Sequence, residues 1–263
     1  MISQMIYYKT DEEIDKIKKS SLLVGKTLTE VAKNIKPGVK TIVLDKLAEE
    51  FIRDNNAVPA FKGYRGFPAT LCISLNEQVV HGIPGARELK DGDIVSVDCG
   101  VLINGYYGDS AYTFSIGEVK PEIRLLLDKT KESLYKGIEI AIAGKRLGDI
   151  GFEIQKYVES YGFSVVRDLV GHGVGKNLHE KPEVPNYGKR GTGLKLQEGL
   201  VIAIEPMINM GRYQVVQESD GWTIRTSDRL PSAHFEHTVA VRKDKAEILS
   251  SFIEIEEVIN KQV

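Results

Sequence analysis

The stretch VSVDCGVLINGYYGDSAYTF, Val95 to Phe114, constrains the fold more than any other part of the chain. Asn104-Gly105 is a strong signal for a two-residue hairpin turn, because both central positions of such a turn need positive φ. With those two residues in the turn, Ile103 pairs with Tyr106 and Gly100 lies opposite Asp109. Side chains two apart on a strand share a face, so Asp98 projects from the same side as Gly100. Asp98 and Asp109 are then diagonal neighbours across the hairpin. Carboxylates this close repel, so one is protonated or a cation sits between them. Two exposed hairpin charges are the other reading, and their apolar neighbours speak against it.

Three further segments place ionisable residues in apolar runs. LVGHGVG holds His172 between glycines, VIAIEPMI ends its apolar run on Glu205, and SAHFEHTVAV begins one at Glu236. A buried, unpaired glutamate costs several kcal/mol, so two such strands argue for a shared cation. Taken singly, His172 reads as a satisfied core histidine and each glutamate as a salt-bridge partner. The five residues together read as a cation site. Competing motifs fail: GHGVGK lacks phosphate-loop spacing and has Asn177 where Ser or Thr belongs. HEKPE and HFEH are not the two-histidine zinc patterns.

Around this site the pattern alternates helices and strands. Ile14, Ile17, Val24, Leu28, Val31 and Ile35 mark one face of a helix over 11–35, stopped by Lys36–Gly38. Thr41 reads as the N-cap of a second helix that ends at Asp54-Asn55-Asn56. Short strands follow around Cys72 and at DIVSVDCG. Pro121 opens a helix to about Ala143, Gly144 breaks it, a second runs from roughly Asp149 to Tyr161, and FSVVRDL reads as a strand. Helix, glycine break, helix, strand thus occurs twice, a weak internal repeat that predicts two related halves in a single domain, 1–263. The net charge of −2 and pI near 6.3 give no global basic field, so direct nucleic-acid binding is not expected. Two cysteines suit a reducing compartment, and the N-terminus carries no apolar signal core, so a cytoplasmic protein that does not span a membrane is expected.

Asp98, Asp109, His172, Glu205 and Glu236, in that order, resemble the metal ligands of the pita-bread metallopeptidases. Within that family, CISLNEQVVHGIPG, VGHGVGKNLHEKPEVPNYG, GLVIAIEPMI and SAHFEHTVAV are similar to the type I methionine aminopeptidases. The resemblance covers nearly the whole chain. It implies an α+β fold of two pseudo-twofold-related αβ halves around a central curved antiparallel sheet. It also implies an enzyme that removes initiator methionine when the second residue is small. A prolidase or Xaa-Pro aminopeptidase of the same fold is the alternative, followed by a non-catalytic binding module of that fold. A separate N-terminal domain of the kind usual in prolidases, and the helical insertion of type II enzymes between His172 and Glu205, are not expected.

The same resemblance implies roles. Asp109 and Glu236 would bridge two divalent cations, with Asp98 on one and His172 and Glu205 on the other. Four carboxylates and an imidazole match the charge of such a pair, and the donor set suits cobalt, manganese, iron or zinc without choosing among them. Glu205 would also accept and pass on a proton. His179 would lie near the scissile carbonyl oxygen and His81 near the peptide nitrogen. Tyr64, Phe67, Cys72, Leu178 and Trp222 are expected to wall the methionine pocket, which suits a soft unbranched side chain. Many type I enzymes carry tyrosine where this chain has Phe67, and phenylalanine where it has Leu178. Substrates would be methionyl N-termini of nascent chains, the ribosome is a candidate partner, and a monomer is expected.

Overall fold

The apolar stripe of the first helix dictates where the hairpin sits. In the computed structural model, which describes residues 5–262, helix α1 spans Asp11–Asn34 with Ile35 as its C-cap. Thr10 and Glu13 form a reciprocal capping box at its start, an arrangement that stabilises a helix end by about 1 kcal/mol. Ile14, Ile17, Val24, Leu28 and Val31 are fully buried. The helix lies against the strand Tyr106–Ser115 closely enough that a Cβ on Gly108 would come 2.3 Å from the Ser21 amide nitrogen. Ser20 Oγ donates to the Tyr106 carbonyl across the same contact, at 2.8 Å.

Helix α2 spans Thr41–Asp54, and Thr41 is its first helical residue rather than its cap. The Thr41 hydroxyl instead exchanges hydrogen bonds with Gly85, donating to its carbonyl at 3.2 Å and accepting its amide at 2.8 Å. Strand Ile94–Ile103 pairs with Tyr106–Ser115 in the expected register, with Ile103 opposite Tyr106 and Gly100 opposite Asp109. Asn104 and Gly105 both take positive φ in the turn, at 54° and 77°. The Phe61 ring packs where a side chain at Gly100 would stand: a Cβ there would meet it at 2.6 Å. On the other edge Leu71–Leu75 pairs with the hairpin, placing Cys72 opposite Asp98.

The second half repeats the helix pair, α3 at Pro121–Ile140 and α4 at Leu147–Glu159. Helix α3 stops short of Ala143 because the Ala143 and Gly144 amides donate instead to the carbonyls of Arg242 and Leu196. Helix α4 starts two residues before Asp149, which sits at its third position and accepts the Arg146 amide at 2.8 Å. The strand expected over 163–169 is only Ser164–Val165; beyond Val166 the chain turns away and residues 168–170 line a cleft. A five-stranded antiparallel sheet runs Glu247–Ile248, His237–Ala240, Val201–Ile204, Gly171–Gly173, Glu180–Val184.

The two halves are joined along one seam of hydroxyls. Ser110 Oγ donates to the Glu236 carbonyl at 2.6 Å, and Thr238 Oγ1 donates to the Asp109 carbonyl at 2.8 Å. The Glu236 amide donates to the Ala111 carbonyl at 2.9 Å. This stitching sets the hairpin's Asp109 beside Glu236. Among the described residues, no helix is long and apolar enough to cross a membrane.

Candidate metal centre

Each of the five sequence-selected ligands arrives on strand geometry or just beyond it. Asp98 and Asp109 come from the hairpin. His172 sits in the short strand Gly171–Gly173, where flanking glycines admit backbone close by: a Cβ on Gly171 would lie 2.3 Å from the Ala203 carbonyl oxygen. Glu205 follows Val201–Ile204 directly, and Glu236 precedes His237, which pairs with Ile204. Pro206, which has no amide to donate, breaks the ladder there. Glu205 and Glu236 therefore meet at the point where the chain passes from one sheet to the next.

These residues converge. His172 Nε2 lies 3.7 Å from Asp109 Oδ2 and 3.6 Å from Glu205 Oε1. Ligand atoms of Asp109, His172 and Glu236 all fall within 4.8 Å of one another. His172 Nδ1 is 2.9 Å from the Gly173 carbonyl, which only accepts, so Nδ1 carries the proton and Nε2 is left with its lone pair toward the carboxylates.

The electrostatics show what this arrangement lacks. Burial, opposed by a hydrogen bond with Asp109, pushes the Asp98 carboxyl up to about 7. Burial, then the charges of Glu236 and Asp98, raises Asp109 well above the usual carboxylate range. Burial and neighbouring carboxylates do the same to Glu205 and Glu236. Asp98 Oδ1, Asp109 Oδ1 and Glu236 Oε1 are buried without a hydrogen-bond partner among the described residues. Among the described residues no lysine or arginine makes an ion pair with any of the four. Unpartnered buried carboxylate oxygens are what a divalent cation would satisfy, so the donor set fits a metal.

Beside this cluster is a cleft of about 300 Å³. Its walls include the five residues above together with His81, His179, Tyr64, Phe67, Cys72, Leu178 and Trp222. The His179 ring is tilted against that of His172 with ring centres 4.2 Å apart, and its Nδ1 is 2.9 Å from the Tyr64 hydroxyl. Phe67 meets Trp222 edge-on at 5.2 Å. His81 holds a positive φ of 60°, a costly conformation for a non-glycine residue and one that clusters at functional sites. Gly82 behind it is required, since a Cβ would sit 2.2 Å from the Ile73 carbonyl oxygen. Cys72 is buried among apolar residues, and burial and the nearby aspartates raise its thiol, so it behaves as a small hydrophobe rather than a reactive group.

The cleft also contains Phe61, Val80, Leu169, Val170 and Met207, which the sequence did not single out. Met207 stands two residues beyond Glu205 and Val80 precedes His81, so proximity to the marked residues was the available signal. Arg65 and Asp168 also line it, one charge of each sign.

Comparison with known proteins gives a consistent picture. The model of metallopeptidase family M24 matches residues 15–243. A methionine aminopeptidase of Clostridium perfringens is 54% identical over 246 residues, covering 94% of this chain and 99% of its own length. The crystal structure of methionine aminopeptidase from Rickettsia prowazekii superposes with a TM-score of 0.92 at 43% identity, covering 94% of this chain and all of that one. The prolidase from Pyrococcus furiosus superposes with a TM-score of 0.76 at 25% identity, and this chain covers 65% of it.

Proposed function

The chain belongs to metallopeptidase family M24, and we propose that it is a methionine aminopeptidase that removes the initiator methionine from nascent proteins. Its fold is the α+β pita-bread fold shared by the methionine aminopeptidases and the prolidases. The family is one of metal-dependent hydrolases, so the chain binds divalent metal. The observation that carries the proposal is the unpartnered carboxylate cluster opening directly onto an apolar pocket.

Asp98, Asp109, His172, Glu205 and Glu236 would together hold two divalent cations. Cobalt, manganese, iron and zinc all suit this donor set. When bound, the cations polarise the scissile carbonyl and lower the pKa of water enough to yield a nucleophile near neutral pH. Glu205 accepts the proton released and returns it to the leaving amine. His179 donates to the carbonyl oxygen as negative charge develops there, and His81 holds the peptide nitrogen. Tyr64, Phe67, Cys72, Leu178 and Trp222 hold the methionine side chain. Phe67 and Leu178 keep that wall apolar where many relatives carry tyrosine and phenylalanine. The enzyme acts as a monomer in the cytoplasm, on chains leaving the ribosome.

Initial rates on Met-Ala-Ser, Met-Lys-Ser, Lys-Ala-Ser and Ala-Pro-Ser, with metal added, test this. Methionine gains from burying apolar surface at about 25 cal/mol per Å². A lysine side chain loses hydration against that wall, with no partner among Tyr64, Phe67, Cys72, Leu178 and Trp222, which disfavours it by roughly a hundredfold or more. Met-Ala-Ser should be cut fastest, with Met-Lys-Ser behind it because the second residue must lie close to His179. If Ala-Pro-Ser is cut best, the enzyme is an Xaa-Pro aminopeptidase and the methionine reading is wrong.

A further inference from the structure

His234 and His237 flank Glu236 and are equally buried, at 1% and 2% exposure, yet their surroundings differ. His237 is satisfied. Its Nδ1 is 2.6 Å from Ser250 Oγ, its Nε2 is 3.2 Å from the Tyr135 hydroxyl, and its ring stacks on Phe252 at 3.9 Å. It is a core histidine. Among the described residues, His234 has no hydrogen-bond partner at either ring nitrogen. A buried imidazole with both nitrogens unpaired is a cost that phenylalanine or leucine would avoid.

The backbone fixes where that ring points. The His234 amide donates to Thr113 Oγ1 at 2.9 Å, and that hydroxyl lies 2.6 Å from the His234 carbonyl. Its strand holds it opposite Met207. So placed, His234 Nε2 lies 3.7 Å from Glu205 Oε2. The other oxygen, Glu205 Oε1, is 3.6 Å from His172 Nε2. The Glu205 carboxylate thus stands between two imidazoles, one oxygen toward each. Its backbone carbonyl is separately held by Asn186 Nδ2 at 2.9 Å. His234 is not among the residues that line the cleft.

We propose that His234 is the positioning residue for Glu205: its ring N–H fixes the orientation of the Glu205 carboxylate from the side away from His172. A movement of roughly 0.5 Å brings the pair into hydrogen-bond range. This rests on the reading of Glu205 as ligand and proton acceptor. Partners that orient a metal-ligating carboxylate are worth about 10- to 100-fold in metal affinity or activity.

The test uses His234→Phe, which fills the volume without a donor, and His234→Gln, which restores an N–H. Both are compared with Glu205→Gln. Co(II) alone is titrated calorimetrically into the metal-free protein, and kcat and KM are measured separately on a methionyl peptide. His234→Phe should weaken Co(II) by about tenfold or more and lower kcat with little change in KM. His234→Gln should recover most of both. Unchanged Co(II) affinity and kcat in His234→Phe, beside a weakened Glu205→Gln, would overturn the proposal alone. Loss in His234→Phe that His234→Gln fails to repair would overturn it too, since shape rather than the donor would then matter. Unchanged Co(II) affinity in Glu205→Gln would overturn the ligand reading and the proposal with it.

Discussion

The segment from His172 to Glu180 contributes to two buried charged regions that behave in opposite ways. Glu180 ends in a tie: its Oε2 is 2.7 Å from Lys9 Nζ, with the two side chains only 4% and 3% exposed. Its Oε1 accepts the Asn177 amide at 3.1 Å, and Lys9 also donates to the Tyr7 carbonyl at 3.0 Å. Asp109 and Glu236 are similarly withdrawn from solvent and Asp98 and Glu205 partly so, but among the described residues no lysine or arginine pairs with them and three of their oxygens are unpartnered. Charge that the chain neutralises itself is structural, and here it fastens the N-terminal segment to the turn carrying Leu178 and His179. Charge left open by the chain waits for a ligand.

Neutralising one member of each region sharpens the contrast. In the open cluster the effect should fall on chemistry. Asp109→Asn or Glu236→Gln should reduce hydrolysis by roughly four orders of magnitude, since ligands acting as one unit fail together. The fold should persist by circular dichroism. A variant keeping most of its activity at limiting metal would remove that residue from the proposed ligand set.

In the closed pair the effect should fall on stability. Lys9→Met leaves Glu180 buried and unpaired, which costs about 3–5 kcal/mol. Urea unfolding would show it as a lowered midpoint, with the number of metal ions bound unchanged. Adding Glu180→Gln should recover part of the loss. If Lys9→Met unfolds at the wild-type midpoint, the pair is no tie, and the distinction between the two regions collapses.

The open cluster was the more legible of the two. A carboxylate inside an apolar run is conspicuous in sequence, and the Asn104-Gly105 turn is a local signal that sets the whole register of the hairpin. The closed pair was not legible, because nothing near Lys9 marks a partner 171 positions away. Thr41 failed for the same reason: its hydroxyl has the chemistry of a cap, but Gly85 returns from 44 positions on and takes it. Phe61 carried no mark, being an apolar residue among apolar residues, and Val80 and Met207 were marked only by their closeness to His81 and Glu205. His234 and His237 look alike beside Glu236, and only Tyr135 and Ser250, brought by the fold, separate them.

The smallest effect separates the regions by pH. All five histidines lie below their ordinary value, chiefly through burial, with His172 near 4 and His234 and His237 near 3. A lowered histidine is neutral when folded and takes up a proton when unfolded, so it costs stability as pH falls below about 6.5. Above that value the histidines are neutral in both states and drop out. The carboxylates of the cluster have the opposite sign. Their folded values are raised, to about 7 for Asp98, so the fold favours their protonated form. The stability they contribute is present at low pH and is lost as pH rises through the folded value. Each such group contributes at most about 1.4 kcal/mol per pH unit. With a chelator present, melting temperature should therefore fall between pH 6.5 and 8.5. Saturating manganese should reverse this, because cation binding requires the deprotonated ligands and strengthens with pH. Asp98→Asn should flatten part of the chelated slope, whereas Glu180→Gln in the Lys9→Met background should leave it as it was. A chelated protein whose melting temperature holds steady or rises across that window would mean that these carboxylates are already neutralised within the fold.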